Sequence, residues 1–417
     1  MAVVATLDVF YADEHVGTLH DSAPPAFEYS AAWLARATPM AVAAIPLTAG
    51  RNDSAAVQAF FENLLPEGEL RQYLADQRKA STLFSLLREV AGDTAGGFVI
   101  VPGGRAPGAP SYEATSWEAL AERLGKTSAS AIDIKGRGAR ISLAGAQDKA
   151  SIAIFDDGVP RLPRGTAPAT HILKPDIKRL SKVWHSAANE TIVMLTAANC
   201  GLPSAEVFYE RHTQACVVRR FDRRVRPDGS LGRLVQYDLC QLAGMLSEKK
   251  YEKEGGPGIA ACAEMIRAYS SQPAVDLRAF VRWILFNLCV GNNDSHAKNL
   301  AMVEVPGGGV ALAPFYDLMC TRLYAGLSQE FAFAVGGCVR PGAISRGHLD
   351  AMAVDLRMRP QFIARLAMEL AQAMPPAVEA AVQTVSPALP HGAKALATRL
   401  KNFVLSTTAR LAARIEQ

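Results

Sequence analysis

Residues 287–300 read NLCVGNNDSHAKNL, and within them Asp294 and Asn299 stand five positions apart just beyond an apolar helical run. A carboxylate can take the proton from an attacking hydroxyl, and an amide oxygen can hold a divalent cation; phosphoryl transfer asks a protein for both. The order and spacing match a kinase catalytic loop, in which the Asp is the base and the Asn a magnesium ligand. His296 and Lys298 lie between them, placed to contact phosphate oxygens. A second carboxylate, Asp317 in APFYDLM, follows eighteen residues after Asn299. The intervening NLAMVEVPGGGVALAP reads as a hairpin, which returns the chain to its start and lets Asp317 meet Asn299 over one cation. Oxygen ligands of this kind suit magnesium. Asp294 would then accept a proton while Asp317 holds metal.

Upstream, RISLAGAQDKASI places the small residues Ala144, Gly145 and Ala146 between two strands, where backbone N–H groups can approach an anion closely. The pattern is neither a Walker loop nor GxGxxG. Lys174, in the strand THILKPD, is placed to pair with the α- and β-phosphates of a nucleotide, with Glu190 on the following helix as its orienting partner. Each residue alone has an ordinary reading: Asp294 as a loop residue or helix cap, His296 as a polar loop residue, Lys174 as a strand-edge lysine, SLAGAQ as a tight turn. Their joint occurrence in the order phosphate loop, lysine, base, metal ligand is what points to phosphoryl transfer.

These residues need elements to position them. The first hundred residues open with alternating segments that predict a small sheet, followed by a helical stretch after Pro66 and the strand-like GGFVIVP. The Gly/Pro-rich stretch from Pro102 to Pro110 is the clearest domain boundary. Strands follow from Ile141, then a helix from about Ser186 to Asn199 ended by Gly201 and Pro203, then the strands EVFYE and CVVRRFD and the run RLVQYD. After Asp238 the pattern is helical, with loops expected at the prolines of AQAMPPAVEAAVQTVSPALPHG. A strand-rich segment with one helix followed by a helical segment is the order of a two-lobed α+β kinase, although many α+β proteins share it.

The bulk numbers are those of a globular chain: 417 residues, 49% hydrophobic and 20% charged, enough to bury a full core in two or three structural units. No uninterrupted apolar run is long enough to span a bilayer, and the start MAVVATLDVFYADE lacks the basic and apolar regions of a secretory signal, so the protein is expected to begin near Met1. The seven cysteines fall between Cys200 and Cys338 with no CxxC pair, which predicts reduced, buried thiols and neither a disulfide framework nor a zinc site. A net charge of +4 is too small to imply nucleic-acid binding by itself. One basic cluster, Arg219, Arg220, Arg223, Arg224 and Arg226, reads as a solvated strand and turn in preference to a phosphate-binding patch.

At these same residues the sequence resembles the HipA family of bacterial toxin kinases. SLAGAQDKASI is similar to the family's phosphate loop, HILKPD to its nucleotide-lysine strand, RRFDR to the strand before the hinge, and YDLCQL to the hinge that meets adenine. GNNDSHAKNL resembles the catalytic loop, PFYDLM the metal-binding aspartate segment, and FENLLPEGELRQ a segment of the first domain, so the likeness runs from about Val9 to Gly336. Asp148 stands where glutamate is expected and Ser295 where glycine is common, both conservative departures.

The resemblance implies an α+β, two-lobed protein-kinase-like fold with a β-rich N-lobe, a helical C-lobe and a small additional N-terminal α/β subdomain. The corresponding division is an N-terminal subdomain over 1–102, an N-lobe over 110–236 and a helical C-lobe over 237–417. It further implies ATP and Mg2+ as cofactors. By resemblance Ala144, Gly145, Ala146, Gln147, Asp148, Lys149 and Lys174 would bind the phosphates, and Tyr237, Asp238 and Leu239 would line the adenine pocket. His296, Ala297, Lys298, Asn299, Tyr316 and Asp317 would complete the nucleotide site, with Asn299 and Asp317 as metal ligands and Asp294 as the catalytic base.

Ser142 falls on the serine that such kinases autophosphorylate; a dianion there repels bound phosphate, so the loop would be expelled and ATP binding lost. Family members pair with a small helix-turn-helix antitoxin of the HipB type, meet operator DNA through it, and act in the cytoplasm on a protein substrate, in one case an aminoacyl-tRNA synthetase, to arrest growth. The competing expectations are a non-toxic kinase of the same fold with another substrate, and a nucleotide-binding corepressor module.

Overall fold

The computed structural model describes residues 5–90, 92–126, 147–178 and 180–416. The expected site residues Ser142, Ala144, Gly145 and Ala146 therefore lie outside the described residues. The chain divides into two compact units, Met1–Leu173 with Arg220–Lys249, and Lys174–Arg219 with Lys250–Gln417.

In the first unit, β1 (Thr6–Tyr11) and β2 (Glu14–His20) form a hairpin in which Tyr11 pairs with Glu14. The two residues between them, Ala12 and Asp13, both have positive φ, the combination that a two-residue hairpin turn requires to match strand twist. Alternation along β1 buries Leu7 and Val9 on one face. With β3 (Ala26–Tyr29), β4 (Arg51–Asn52) and β5 (Val99–Pro102), these strands make an antiparallel sheet in the order β4-β3-β2-β1-β5. Gly17 in β2 has no alternative, since a Cβ there would lie 2.3 Å from the Glu28 carbonyl oxygen. Phe27, Phe60, Phe61 and Phe98 form an aromatic core with the helix Ala55–Asn63, and the helix expected after Pro66 runs Gly68–Arg78. A second sheet in this unit joins β6 (Ser111–Ala114), β7 (Ala150–Ile154), β8 (Pro160–Arg164) and the residues of β9 (His171–Lys174) up to Leu173, in the order β9-β7-β8-β6.

The arginine cluster corrects the reading of a solvated strand and turn. Arg219 and Arg224 are exposed, but Arg220 and Arg223 are buried. They surround Asp93, itself 0% exposed, at 3.3 Å from Arg220 and 2.9 Å from Arg223, with Arg233 at 2.8 Å. Asp222 completes the network by accepting from Arg220 at 2.8 Å and from the Gly96 N–H at 2.7 Å. These arginines flank β12 (Arg223–Val225) and β13 (Leu231–Arg233), and β14 (Gln236–Asp238) then leads into the short helix Leu239–Leu242.

Burial alone would raise the Asp93 pKa, yet the guanidinium groups of Arg223, Arg233 and Arg220 outweigh it and hold the carboxyl below its ordinary value. A folded-state value below the unfolded one stabilises above the unfolded pKa, near ~3.9, and that contribution is lost as pH falls through the folded value. Asp93→Asn leaves the arginine cluster short of one buried charge, so it should cost about 3–5 kcal/mol at neutral pH. Thermal melts between pH 7 and pH 3 check this: the variant should melt well below the parent at pH 7, and the gap should narrow as the pH falls.

In the second unit, the helix Ser186–Asn199 packs against the 26-residue helix Pro360–Val385, which in turn packs on His391–Glu416. β10 (Val207–Glu210) and β11 (Ala215–Arg219) form one hairpin, and β15 (Ala301–Glu304) and β16 (Val310–Leu312) form the hairpin expected between Asn299 and Asp317. Pro375 and Pro376, where a loop was expected, lie inside a continuous helix. Both prolines and Gln372 are exposed, so water can satisfy carbonyls that lose their i+4 donors. Met374, Ala377, Val378 and Ala381 remain buried along the same helix, and that packing outweighs the breakers. All seven cysteines are free and six of them are buried, as their spacing predicted.

Candidate active site

The helix Pro273–Val290 delivers the catalytic-loop candidate. Phe280, Trp283, Ile284, Leu285 and Phe286 are fully buried along it, which fixes its end firmly. Gly291 stops it with φ +71, and a Cβ at that position would also meet the Phe403 ring at 2.6 Å. The next residues are pinned by their own polar groups. The Asn292 amide donates to Asn287 Oδ1 at 2.9 Å, the Asn293 N–H donates to Thr321 Oγ1 at 2.8 Å, and the Asn293 amide donates to the Ser328 carbonyl at 3.0 Å.

Asp294 is the exception in this loop. Its side chain is 57% exposed while Asn292, Asn293, Ser295 and His296 around it are buried. The Asn299 amide nitrogen donates to the Asp294 carbonyl at 2.9 Å, which commits that nitrogen to the loop and makes Oδ1 the atom that could ligate a cation. One phenol, that of Tyr251, donates to Asp294 Oδ1.

The β15–β16 hairpin brings the next carboxylate back. Phe315 is anchored in the core, with its carbonyl accepting from the Ala205 N–H at 2.9 Å, and the Tyr316 hydroxyl donates to the Lys298 carbonyl at 3.0 Å. Asp317 follows with φ +59, a left-handed conformation that costs a non-glycine residue energy and persists only where surrounding contacts impose it. Just beyond it, the Asn189 amide bonds both the N–H and the carbonyl of Cys320, at 2.8 Å and 3.0 Å.

Lys174 ties the site together. Its ammonium lies 2.6 Å from Glu190 Oε1 and 2.9 Å from Asp317 Oδ1, at the head of the unit that also carries Asp294 and Asn299. Lys174 and Glu190 are buried, whereas the Asp317 side chain is 45% exposed. Burial, the largest influence, would lower the Lys174 pKa; the carboxylates of Asp317 and Glu190 overcome it and hold the amine above its ordinary value. The lysine is a fixed positive charge with one buried partner and one half-exposed partner.

His296 has the opposite character. Burial, then the positive charge of Lys250, push its imidazole well below the ordinary value against the opposing pull of Asp317. Its Nδ1 is buried without a hydrogen-bond partner among the described residues. A neutral imidazole cannot serve as a cationic phosphate contact, but it can donate or accept one hydrogen bond. NMR of the ring should place the His296 midpoint well below that of an ordinary imidazole; a midpoint near ~6.5 would contradict this environment.

Of the remaining expected residues all but Ala297 lie in the first unit. Gln147, Asp148 and Lys149 are half-buried in the segment that enters β7. Tyr237 is buried beside Phe60 and Phe98 and donates to the Ala41 carbonyl at 2.9 Å. Asp238 caps the helix Leu239–Leu242, accepting from the Gln241 N–H at 2.8 Å, and Leu239 is fully buried. Ala297 is buried in the short turn Ala297–Asn299. Sequence reasoning did not single out Tyr251, Asn189 or Thr321. Tyr251 sits in the charged run SEKKYEKEGG, where nothing in spacing or type marks it, and its contact with Asp294 spans 43 residues.

The groups expected to hold a cation are oxygens, the Asn299 amide and the Asp317 carboxylate. Among the described residues no cluster of three His, Cys, Asp or Glu is placed to hold a metal. Two protein oxygens completed by substrate phosphates and water is the arrangement magnesium favours, since it gives up its waters reluctantly.

Comparison with known proteins gives the family. The HipA-like C-terminal domain matches residues 141–378, more than half of the chain, and the HipA N-terminal domain matches residues 7–101. The chain belongs to the HipA family. The serine/threonine-protein kinase toxin HipA of Shewanella oneidensis is 29% identical over 406 residues, covering 93% of this chain and 91% of that protein. Y4mE of Sinorhizobium fredii, a kinase by its name, is 34% identical over 321 residues, covering 74% of this chain and 75% of its own length. The solved complex of Shewanella oneidensis HipA with HipB and operator DNA contains a chain similar to this one with a TM-score of 0.85 at 26% identity, over 99% of this chain and 98% of that one.

The α+β, protein-kinase-like fold with an additional N-terminal subdomain is therefore the fold of this HipA family member, and its family is one of serine/threonine kinase toxins. Nucleotide and metal use in general come with that kinship. Among the described residues no helix is long and apolar enough to cross a membrane.

Proposed function

We propose that this chain is an ATP- and magnesium-dependent serine/threonine kinase toxin with Asp294 as its base. The observation that carries the reading is Lys174 held between Glu190 and Asp317, in the same unit as the Asp294–Asn299 loop. An acceptor hydroxyl gives its proton to Asp294, the exposed carboxylate of an otherwise buried loop. Asp317 and Asn299 would hold the cation through their oxygens, and Lys174, paired with Glu190, would be the positive charge offered to phosphate oxygens. Magnesium, when bound, neutralises charge on the transferring phosphate. The family resemblance assigns His296, Ala297, Lys298 and Tyr316 to the nucleotide, Ala144 through Lys149 to its phosphates, and Tyr237, Asp238 and Leu239 to adenine.

In this reading the functional segments are 1–102, 110–236 and 237–417, with the protein acting in the cytoplasm. Its substrate is a cellular protein linked to translation, such as an aminoacyl-tRNA synthetase. A small helix-turn-helix antitoxin of the HipB kind neutralises it and joins it to operator DNA, which the Shewanella complex supports by kinship. Ser142 is the autophosphorylation site and the means of self-inactivation. Mass spectrometry of the purified protein after incubation with Mg-ATP should find phosphate on Ser142, and Asp294→Asn should remove it. A parent without phosphate, or transfer persisting in the variant, rejects the reading.

A further inference from the structure

Tyr251 has no place in the reaction as described, yet its phenol donates a hydrogen bond to Oδ1 of Asp294. That is the contact an attacking hydroxyl must make with a general base before transfer. The ring stands edge-on against His296, with centroids 5.0 Å apart at 84°, and the Lys250 ammonium lies 5.5 Å from the ring centroid.

The backbone beneath this side chain is fixed. The Tyr251 carbonyl accepts from the N–H groups of Glu254 and Gly256, both at 3.0 Å. Glu252 accepts from the Ala334 N–H at 2.7 Å, and Gly258 is packed so closely on Glu252 that a Cβ would lie 2.5 Å from its Oε1. The hydroxyl can therefore leave Asp294 only by side-chain rotation, without rebuilding the turn. Tyr251 is half-buried, which leaves it a route outward.

We propose that Tyr251 is a gate on the acceptor place: its hydroxyl occupies the position on Asp294 that a substrate hydroxyl takes, and it is displaced only by an acceptor that brings binding energy of its own. The inference rests on Asp294 being the base. The competing acceptor in an idle kinase is water. In that side reaction the water oxygen attacks the γ-phosphorus, the bond to the bridging oxygen breaks, ADP leaves with the electron pair, and the water proton passes to Asp294. A tethered phenol has already given up its translational freedom and outcompetes a water of similar hydrogen-bonding strength. A protein serine displaces it with the help of the surrounding interface. The gate thus suppresses wasteful ATP hydrolysis until substrate is docked.

The test measures ADP release from Mg-ATP by the full-length protein without any added protein acceptor. All variants carry Ser142→Ala, so that self-modification contributes no ADP. Tyr251→Phe keeps the ring on His296 and removes only the hydroxyl. It should raise kcat for ADP release about fivefold to tenfold, the worth of one hydrogen bond, with KM for ATP and the melting temperature unchanged. Tyr251→Leu, which vacates the place altogether, should show the same rise even if its melting temperature falls. Adding Asp294→Asn to either should abolish the gain. Unchanged or slower release in both variants overturns the gate, as does phosphate found on Tyr251 itself, which would make it an acceptor. If Asp294→Asn leaves the parent's ADP release intact, the base assignment falls and the gate with it. If Asp294→Asn abolishes release and Tyr251→Phe changes nothing, only the gate falls.

Discussion

Asp294→Asn should lower phosphoryl transfer about 10²–10⁴-fold while leaving the fold and nucleotide binding intact. The amide matches the carboxylate in size, and its oxygen can still accept the Tyr251 hydrogen bond, but it cannot take a proton at neutral pH. The loop does not depend on the charge. It is held by Asn292 on Asn287, by Asn293 on Thr321 and Ser328, and by the Asn299 amide on the Asp294 backbone carbonyl, none of which the substitution touches. Because the side chain is more than half exposed, no large stability change accompanies the swap. Labelled-phosphate transfer, with ATP affinity measured separately, gives the result. An equal loss of affinity and rate would mean that Asp294 binds the nucleotide instead of activating the acceptor.

Lys174→Met should be costly in two separable ways. Glu190 is 1% exposed and 2.6 Å from the ammonium, so removing the lysine leaves a buried carboxylate without its cation, a loss of about 3–5 kcal/mol. The half-exposed Asp317 keeps access to water and adds little. The folded-state pKa of Lys174 is raised, so its stabilisation is complete below the unfolded value of about 10.4 and is lost only as pH rises through the folded value. The deficit should therefore be flat from pH 6 to pH 9. Adding Glu190→Gln removes the stranded charge and should restore much of the stability in denaturant melts, whereas phosphotransfer should stay low in both variants because the phosphate contact is gone. Recovery of activity along with stability would show that Lys174 serves the fold alone.

Much of the site was legible because its signals are local. GNNDSHAKNL places a carboxylate and an amide within one loop, and the hairpin of β15 and β16 between Asn299 and Asp317 follows from two short apolar runs around three glycines, so it was predictable from the chain alone. The pairing of Lys174 with Glu190 was also anticipated, because a strand lysine and the first turns of the next helix are near in sequence. The helix Ser186–Asn199 and the reduced cysteines followed from composition and spacing in the same manner.

What the sequence determined by itself is thus the set of reactive groups and the short elements that carry them, since periodicity and turn chemistry act within a few residues. The tertiary structure decided which charges are buried. Arg220 and Arg223 look solvated beside their neighbours, and Asp93, 127 and 130 residues away, joins Asp222 in making their burial affordable in energy. Pro375 and Pro376 look like a break until the buried face through Met374 and Ala377 holds the helix together. Tyr251 reads as one ring in a charged run until folding sets its hydroxyl on Asp294. In each case a local preference of about a few kcal/mol is overruled by burial or a long-range partner, and neither leaves a trace in the neighbouring residues.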